Sequence, residues 1–292
     1  MSRHAAPVRG PRPDITTSPT TPIRRSPPAA HREHWGVSGF GTQLWVLALR
    51  SIRTAFGHYR LIFLGILQPV VIMLLFSQAF AGVSELPGVA SYGSYINYLL
   101  PATLVTIAVI TAMSSGAALM FEITSGFVGR LRTMPISLFA VLLARSISDT
   151  LRLVVQLAAA MVVAVLVLDF RSTSWVASVA ACALTAAVGW GMSWVFIAIA
   201  TWRPSQEVMQ AASFVVIFPL MFTTSAYMPV ESMPGWMEAV ATVNPLTYAI
   251  DAVRALTVGD PYGTDLAAAL ALLCCAALIG ILTAAHGIRR TR

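Results

Sequence analysis

The chain contains no lysine; all nineteen of its basic residues are arginine. That absence excludes a phosphate-loop ATPase lysine and a Schiff-base lysine, and with the first of them a conventional nucleotide-hydrolysing site on this chain. Charge of either sign is scarce, at 11% of 292 residues against 57% hydrophobic, far from a soluble average. Lipid is therefore the solvent for most of the chain. Cysteine is nearly missing, and Cys182, Cys274 and Cys275 all fall in apolar runs, where they read as small hydrophobes. The histidines His4, His31, His34, His58 and His286 lie outside those runs. His31 and His34, three apart in a polar tail, are too little to define a metal site, and no metal is expected. No early apolar stretch follows Met1, so no signal peptide is expected. Residues 1–38, rich in Pro, Arg, Ser and Thr at the start, read as a disordered cytoplasmic tail.

What is present is a series of long apolar runs, which predict an all-α polytopic membrane protein with six spans over residues 39–292. Residues 39–60 interleave Phe40, Leu44, Trp45, Leu49, Ile52 and Phe56 with Arg50, Arg53 and Arg60. That pattern suits a helix lying at the interface, its arginines on phosphates and its apolar side chains in lipid. The first span is placed at 61–80, twenty residues or about 30 Å of helix, which matches the hydrocarbon layer. The others are placed at 98–120, 147–168, 175–201, 208–228 and 266–285. Tyr92, Tyr95 and Tyr98 read as an aromatic belt before the second span. The apolar stretch before Ile147 holds Arg145 and is left at the interface. Small residues at 114–118, and Gly189 and Gly191, allow close helix contacts.

Arginine placement gives the orientation. With the N terminus inside, seventeen arginines lie inside and only Arg171 and Arg254 outside, so both termini are expected in the cytoplasm. The net charge of +7 is then a topology signal rather than a nucleic-acid footprint. No ladder of buried acids crosses the spans, which disfavours a proton relay.

Two segments outside the spans carry functional expectations. One, Phe121 to Asp149, holds Glu122, Arg130, Arg132 and Pro135 and suits docking of a soluble partner; a plain anchoring hairpin is the competing reading. Arg145, Asp149 and Arg152 follow at spacings of four and three, so they share a helix face and partly neutralise one another. The other, Pro229 to Asp265, is too apolar for a solvated loop. Pro234, Gly235 and Asn244-Pro245 divide it into helices near 234–242 and 245–257, too short to span. Such broken helices fit as re-entrant or interfacial pieces covered by protein. Asp251 and Arg254, three apart, can pair.

The runs PVESMPGW at Pro229–Trp236 and NPLTYAIDAVRAL at Asn244–Leu256 resemble the C-terminal signature of type 2 ABC exporter permeases, closest to the daunorubicin/doxorubicin-resistance permease group. The segment with Glu122, Gly129, Leu131, Arg132, Thr133 and Pro135 is similar to that family's region after the second span. Where many relatives are more acidic before the leucine, this chain has Gly129 and Arg130. The resemblance implies a permease that dimerises with a copy of itself or a sister chain. It further implies a cytoplasmic ABC ATPase partner that carries the ATP and Mg, so this chain binds no cofactor and is no enzyme by itself. Coupling contacts are then expected at Glu122, Arg130, Arg132 and Arg203. The external gate is expected at Pro229, Glu231, Asn244, Pro245, Tyr248, Asp251 and Arg254. Export of a small hydrophobic or amphipathic substrate out across the cytoplasmic membrane follows, with lipid as the other partner. An ion-coupled carrier and an intramembrane lipid-modifying enzyme, using a pair such as Glu231 and Asp251, stay open as alternatives.

Overall fold

The computed structural model describes residues 39–57, 59–79, 92, 94–126, 137–202, 205–259 and 265–290. In chain order the helices are α1 (Phe40–Gly57), α2 (Tyr59–Ala79), α3 (Tyr95–Thr124), α4 (Leu138–Val167), α5 (Trp175–Trp202), α6 (Gln206–Phe222), a 3-10 turn (Val230–Ser232), α7 (Gly235–Ala241), α8 (Pro245–Val258) and α9 (Asp265–Arg290). The protein is an all-α, polytopic membrane protein. Among the described residues, Tyr95–Thr124, Leu138–Val167, Trp175–Trp202 and Leu266–Gly287 are long and apolar enough to cross a bilayer, and Phe63–Ala79 is a shorter apolar helix. The fifth predicted span is helical only through Phe222, 17 residues or about 25 Å, and the chain then turns.

Two segments differ from the sequence reading. The apolar region before Ile147 is not a separate element from the span placed after it; it opens one unbroken 30-residue helix, α4. No Gly or Pro interrupts Leu138–Val167, so nothing in the backbone stops the helix. Its first turns bury Ala140, Leu142 and Ala144, and the Ser137 amide ahead of it donates to Gln43 Oε1 of α1 at 3.1 Å. The helix read over 39–60 ends at Gly57, and α2 begins at Tyr59. One side of α1 stays open, with Trp45 at 71% exposure.

The centre is α3 against α5. Of their most apolar windows 61% is buried, against 17% for α9, which lies at the periphery along α5. Small residues set the spacing. A Cβ on Gly116 of α3 would come within 2.7 Å of Phe196 Cβ and 2.8 Å of its carbonyl oxygen. A Cβ on Gly280 of α9 would come within 2.7 Å of the Trp194 backbone. Opposite faces of one turn of α5 are thus gripped by glycines on two helices, the close approach that stabilises helix pairs in lipid without a hydrophobic drive. Gly280→Leu is expected to lower stability by about 1–3 kcal/mol through overpacking, read as a fall in thermal unfolding midpoint in detergent. An unchanged midpoint would show that α9 is not held there.

Candidate functional site

Past Phe222 the chain leaves helical geometry while still enclosed: Thr223, Thr224, Ser225 and Ala226 are all buried. Broken backbone away from water needs partners. Asn244, 3% exposed, supplies them. Its Nδ2 donates to Leu220 O at 2.7 Å, Thr223 O at 3.1 Å and Thr223 Oγ1 at 3.2 Å. Its Oδ1 accepts from Leu246 N at 3.0 Å, capping α8. Pro245 occupies the first helical position, where its missing N–H costs nothing. One carboxamide therefore joins the end of α6 to the start of α8. Tyr248, one turn on, donates its hydroxyl to Thr242 O at 2.6 Å and closes the α7–α8 turn. α8 ends at Gly259 in the left-handed conformation, φ 90°, the usual helix stop.

Arg254 is the second anchor, 4% exposed. Its Nη1 meets Asp251 Oδ1 at 2.5 Å, and its Nη2 donates to Ser225 O at 2.8 Å. Longer contacts of 3.4 Å from Nε and Nη2 reach Tyr98 O of α3. The guanidinium lies 3.9 Å from the Tyr98 ring centroid, a cation–π contact strengthened by desolvation. Ser225 Oγ donates to Asp251 Oδ1 at 2.6 Å, and the Tyr98 hydroxyl donates to Ser225 O at 2.7 Å. A fork of five N–H groups suits this mixture of carboxylate, carbonyls and ring face; an ammonium does not. Asp251 and Arg254 pair as their spacing predicts. Tyr95 and Tyr98 do not form a lipid-facing belt: at 3% and 2% exposure they lie inside, with the Tyr95 hydroxyl on Tyr227 O at 3.3 Å. Spacing of three puts both on one helix face, and that face turns to protein. Of the remaining gate residues, Pro229 precedes the 3-10 turn and its carbonyl accepts from Ser232 N at 3.0 Å. Glu231 is exposed on that turn and outside the hydrogen bonds around Arg254.

At the other end of α3, Glu122 Oε1 meets Arg145 Nη1 of α4 at 2.7 Å, and Arg145 Nε lies 3.6 Å from Asp149 Oδ2. Ser115 Oγ donates to the same Asp149 oxygen. Arg152 does not join the ion pairs found within 4.0 Å among the described residues; its Nη2 donates to Ser114 Oγ at 2.6 Å. Further along, Thr111 Oγ1 donates to Gln156 Oε1 at 2.9 Å. A cavity of about 10 Å³ beside them, lined by Thr111, Asp149, Thr150 and Ser193 among others, is close to the room one water takes. Sequence reasoning found the Arg145–Asp149 spacing but not its extension to Gln156 or the answering residues of α3. Of the expected coupling residues only Glu122 is described; Arg130, Arg132 and Arg203 lie outside the described residues, as does the 1–38 tail.

Helices long enough to cross a bilayer, joined to the short helices α7 and α8, define a multi-pass membrane protein. Residues 42–258 match the family model of the ABC-2 type transporter, and the chain belongs to that family. It is 31% identical over 225 residues, 76% of each chain, to the daunorubicin resistance ABC transporter permease protein DrrB1 of Streptomyces coeruleorubidus. It is 27% identical over 197 residues, 66% of each chain, to the putative transport permease ycf38 of Cyanophora paradoxa. With the probable doxorubicin resistance ABC transporter permease protein DrrC of Mycobacterium tuberculosis it shares 22% identity over 204 residues, 68% of this chain and 70% of that one. The chain is thus a membrane-spanning permease subunit of an ABC exporter.

Proposed function

We propose that this permease moves a hydrophobic or amphipathic compound outward across the cytoplasmic membrane, as one of two permease units bound to two cytoplasmic ATPase subunits. Both termini face the cytoplasm, and the α6–α8 unit caps the external side. ATP and Mg reside on the ATPase partner, and this chain hydrolyses nothing alone. The observation that carries the reading is the broken-helix unit itself. In a chain of this family, ends that lipid would not tolerate are met by Asn244 and Arg254, which makes a stable closure over the spans. ATP drives such a device only if the ATPase pair binds two permease conformations with different affinity. Force enters through the Phe121 to Pro135 segment, with Arg130, Arg132 and Arg203 as contacts on the ATPase and Glu122 handing the motion to Arg145 of α4.

An apolar cargo is supported by the open face of α6. Phe214, Phe218 and Phe222 are 69%, 54% and 54% exposed and stack at 5.8 and 5.0 Å between ring centroids. The names of two relatives, which refer to daunorubicin and doxorubicin resistance, agree with a drug-like compound. Against an enzyme using Glu231 and Asp251, the Asp251 carboxylate is already engaged by Arg254 and Ser225. Purified from native membranes, the chain is expected to bring down an ATPase subunit and to show no ATP hydrolysis once that subunit is stripped away. Hydrolysis by the stripped chain, or transport that follows a proton or sodium gradient and ignores ATP, would overturn the reading.

A further inference from the structure

Four polar residues of α4, Arg145, Asp149, Arg152 and Gln156, recur at spacings of four, three and four, which is one stripe of a helix. α3 answers each of them from the facing side: Glu122 and Ser115 around Arg145 and Asp149, Ser114 at Arg152, Thr111 at Gln156. Two arginines and two acids leave the stripe neutral as a whole. Parting the two helices would strip partners from charges whose side chains are only 15% and 13% exposed at Arg145 and Asp149. Uncompensated charges in so poorly solvated a place are strongly unfavourable. Among the described residues the other two ion pairs, Arg171 with Asp169 and Arg254 with Asp251, each stay within one short segment. Of these four contacts, the one between Arg145 and Glu122 ties one long helix to another. The contact of α3 with α5 is of another kind, glycine against Phe196, and α5 carries no charged residue from Trp175 to Trp202.

We infer that α3 and α4 move as one rigid hairpin during transport, clasped by Arg145 between Glu122 and Asp149, and that the permease opens between this hairpin and its neighbours, never within it. Arg145 is a positioning residue: it touches no cargo and holds the two helices whose connection is the proposed coupling segment. The inference rests on the ATP-driven export reading, and its test separates the two.

The test uses the whole complex with its ATPase, in a background where Cys182, Cys274 and Cys275 are replaced by alanine. Glu122→Cys with Arg145→Cys removes the ion pair and places two thiols at its ends, which a short bis-thiosulfonate reagent can bridge. Reduced, this variant is expected to lose about tenfold or more of ATP-dependent transport, as a broken buried pair should, while still binding the ATPase. Bridged, it is expected to transport several-fold faster than its reduced form, because a covalent link replaces the tie between the helices while Asp149 keeps Ser115. Arg145→Lys, which keeps the charge, is expected to retain more transport than Arg145→Gln. Normal transport by the reduced form, or no recovery on bridging, overturns the rigid hairpin. Absence of ATP-dependent transport in the cysteine-replaced background that still binds its ATPase would instead sink the export reading.

Discussion

Asn244→Asp is expected to damage the protein at least as much as Asn244→Ala, although aspartate caps a helix as well as asparagine does. The reason is the donor side of the carboxamide. Nδ2 faces three acceptors, Leu220 O, Thr223 O and Thr223 Oγ1, in a residue that is 3% exposed. A carboxylate keeps the bond from Leu246 N and turns lone pairs toward the other three. Alanine loses both sides but adds no charge. Leaving buried carbonyls unmet costs about 1–3 kcal/mol, more where a charge is involved. We therefore expect both variants to lower the unfolding midpoint and to abolish most transport, with Asp the worse at neutral pH. If Asp held the wild-type midpoint, the link from α6 to α8 would be dispensable and capping alone would explain the asparagine.

Arg254→Met is expected to produce the second large effect. It removes the donors to Ser225 O and Tyr98 O and leaves the Asp251 carboxylate with Ser225 as the partner defined above. Breaking a well-buried pair by removing one partner costs about 3–5 kcal/mol. Asp251 has a side chain 31% exposed, so solvent recovers part of that and a loss of about 2–4 kcal/mol is expected. Arg254→Lys should rescue little, since one ammonium cannot reach carboxylate, carbonyls and ring together. Asp251→Asn should cost less than Arg254→Met, because the arginine keeps its carbonyls and its ring. The ordering Arg254→Met, Arg254→Lys, Asp251→Asn in decreasing damage, measured by thermal unfolding in detergent, checks the account; equal effects would mean that the salt bridge alone matters.

The long apolar helices were legible because lipid demands long apolar runs, and the short helices because Pro234 and Asn244-Pro245 punctuate them. The Asp251–Arg254 pair was legible because both lie on one helical turn. The groups that make that pair into an anchor were not: Tyr98 is 156 residues from Arg254 and 127 from Ser225, and no local period encodes such a meeting. Tyr95 and Tyr98 show the same limit from the other side. Their spacing of three defines a face, but a tyrosine is equally suited to a headgroup region and to a buried carbonyl, so periodicity alone assigned that face to lipid. On α4 the spacing of Arg145, Asp149 and Arg152 was visible, whereas Ser114 and Ser115 looked like ordinary small packing residues and Thr111 carried no signal of its own. They are small and they also carry hydroxyls; only the approach of α3 to α4 decides that the hydroxyls are used.

The claim under everything else is that a separate ATPase powers transport through this chain. Inside-out membrane vesicles containing the permease and its ATPase, loaded from outside with a fluorescent apolar dye, test it in one assay. Uptake into the vesicle lumen should require hydrolysable ATP, stop when the ATPase's catalytic carboxylate is replaced, and survive collapse of proton and sodium gradients. Uptake that continues with the inactive ATPase, or disappears when the gradients alone are removed, would contradict the account.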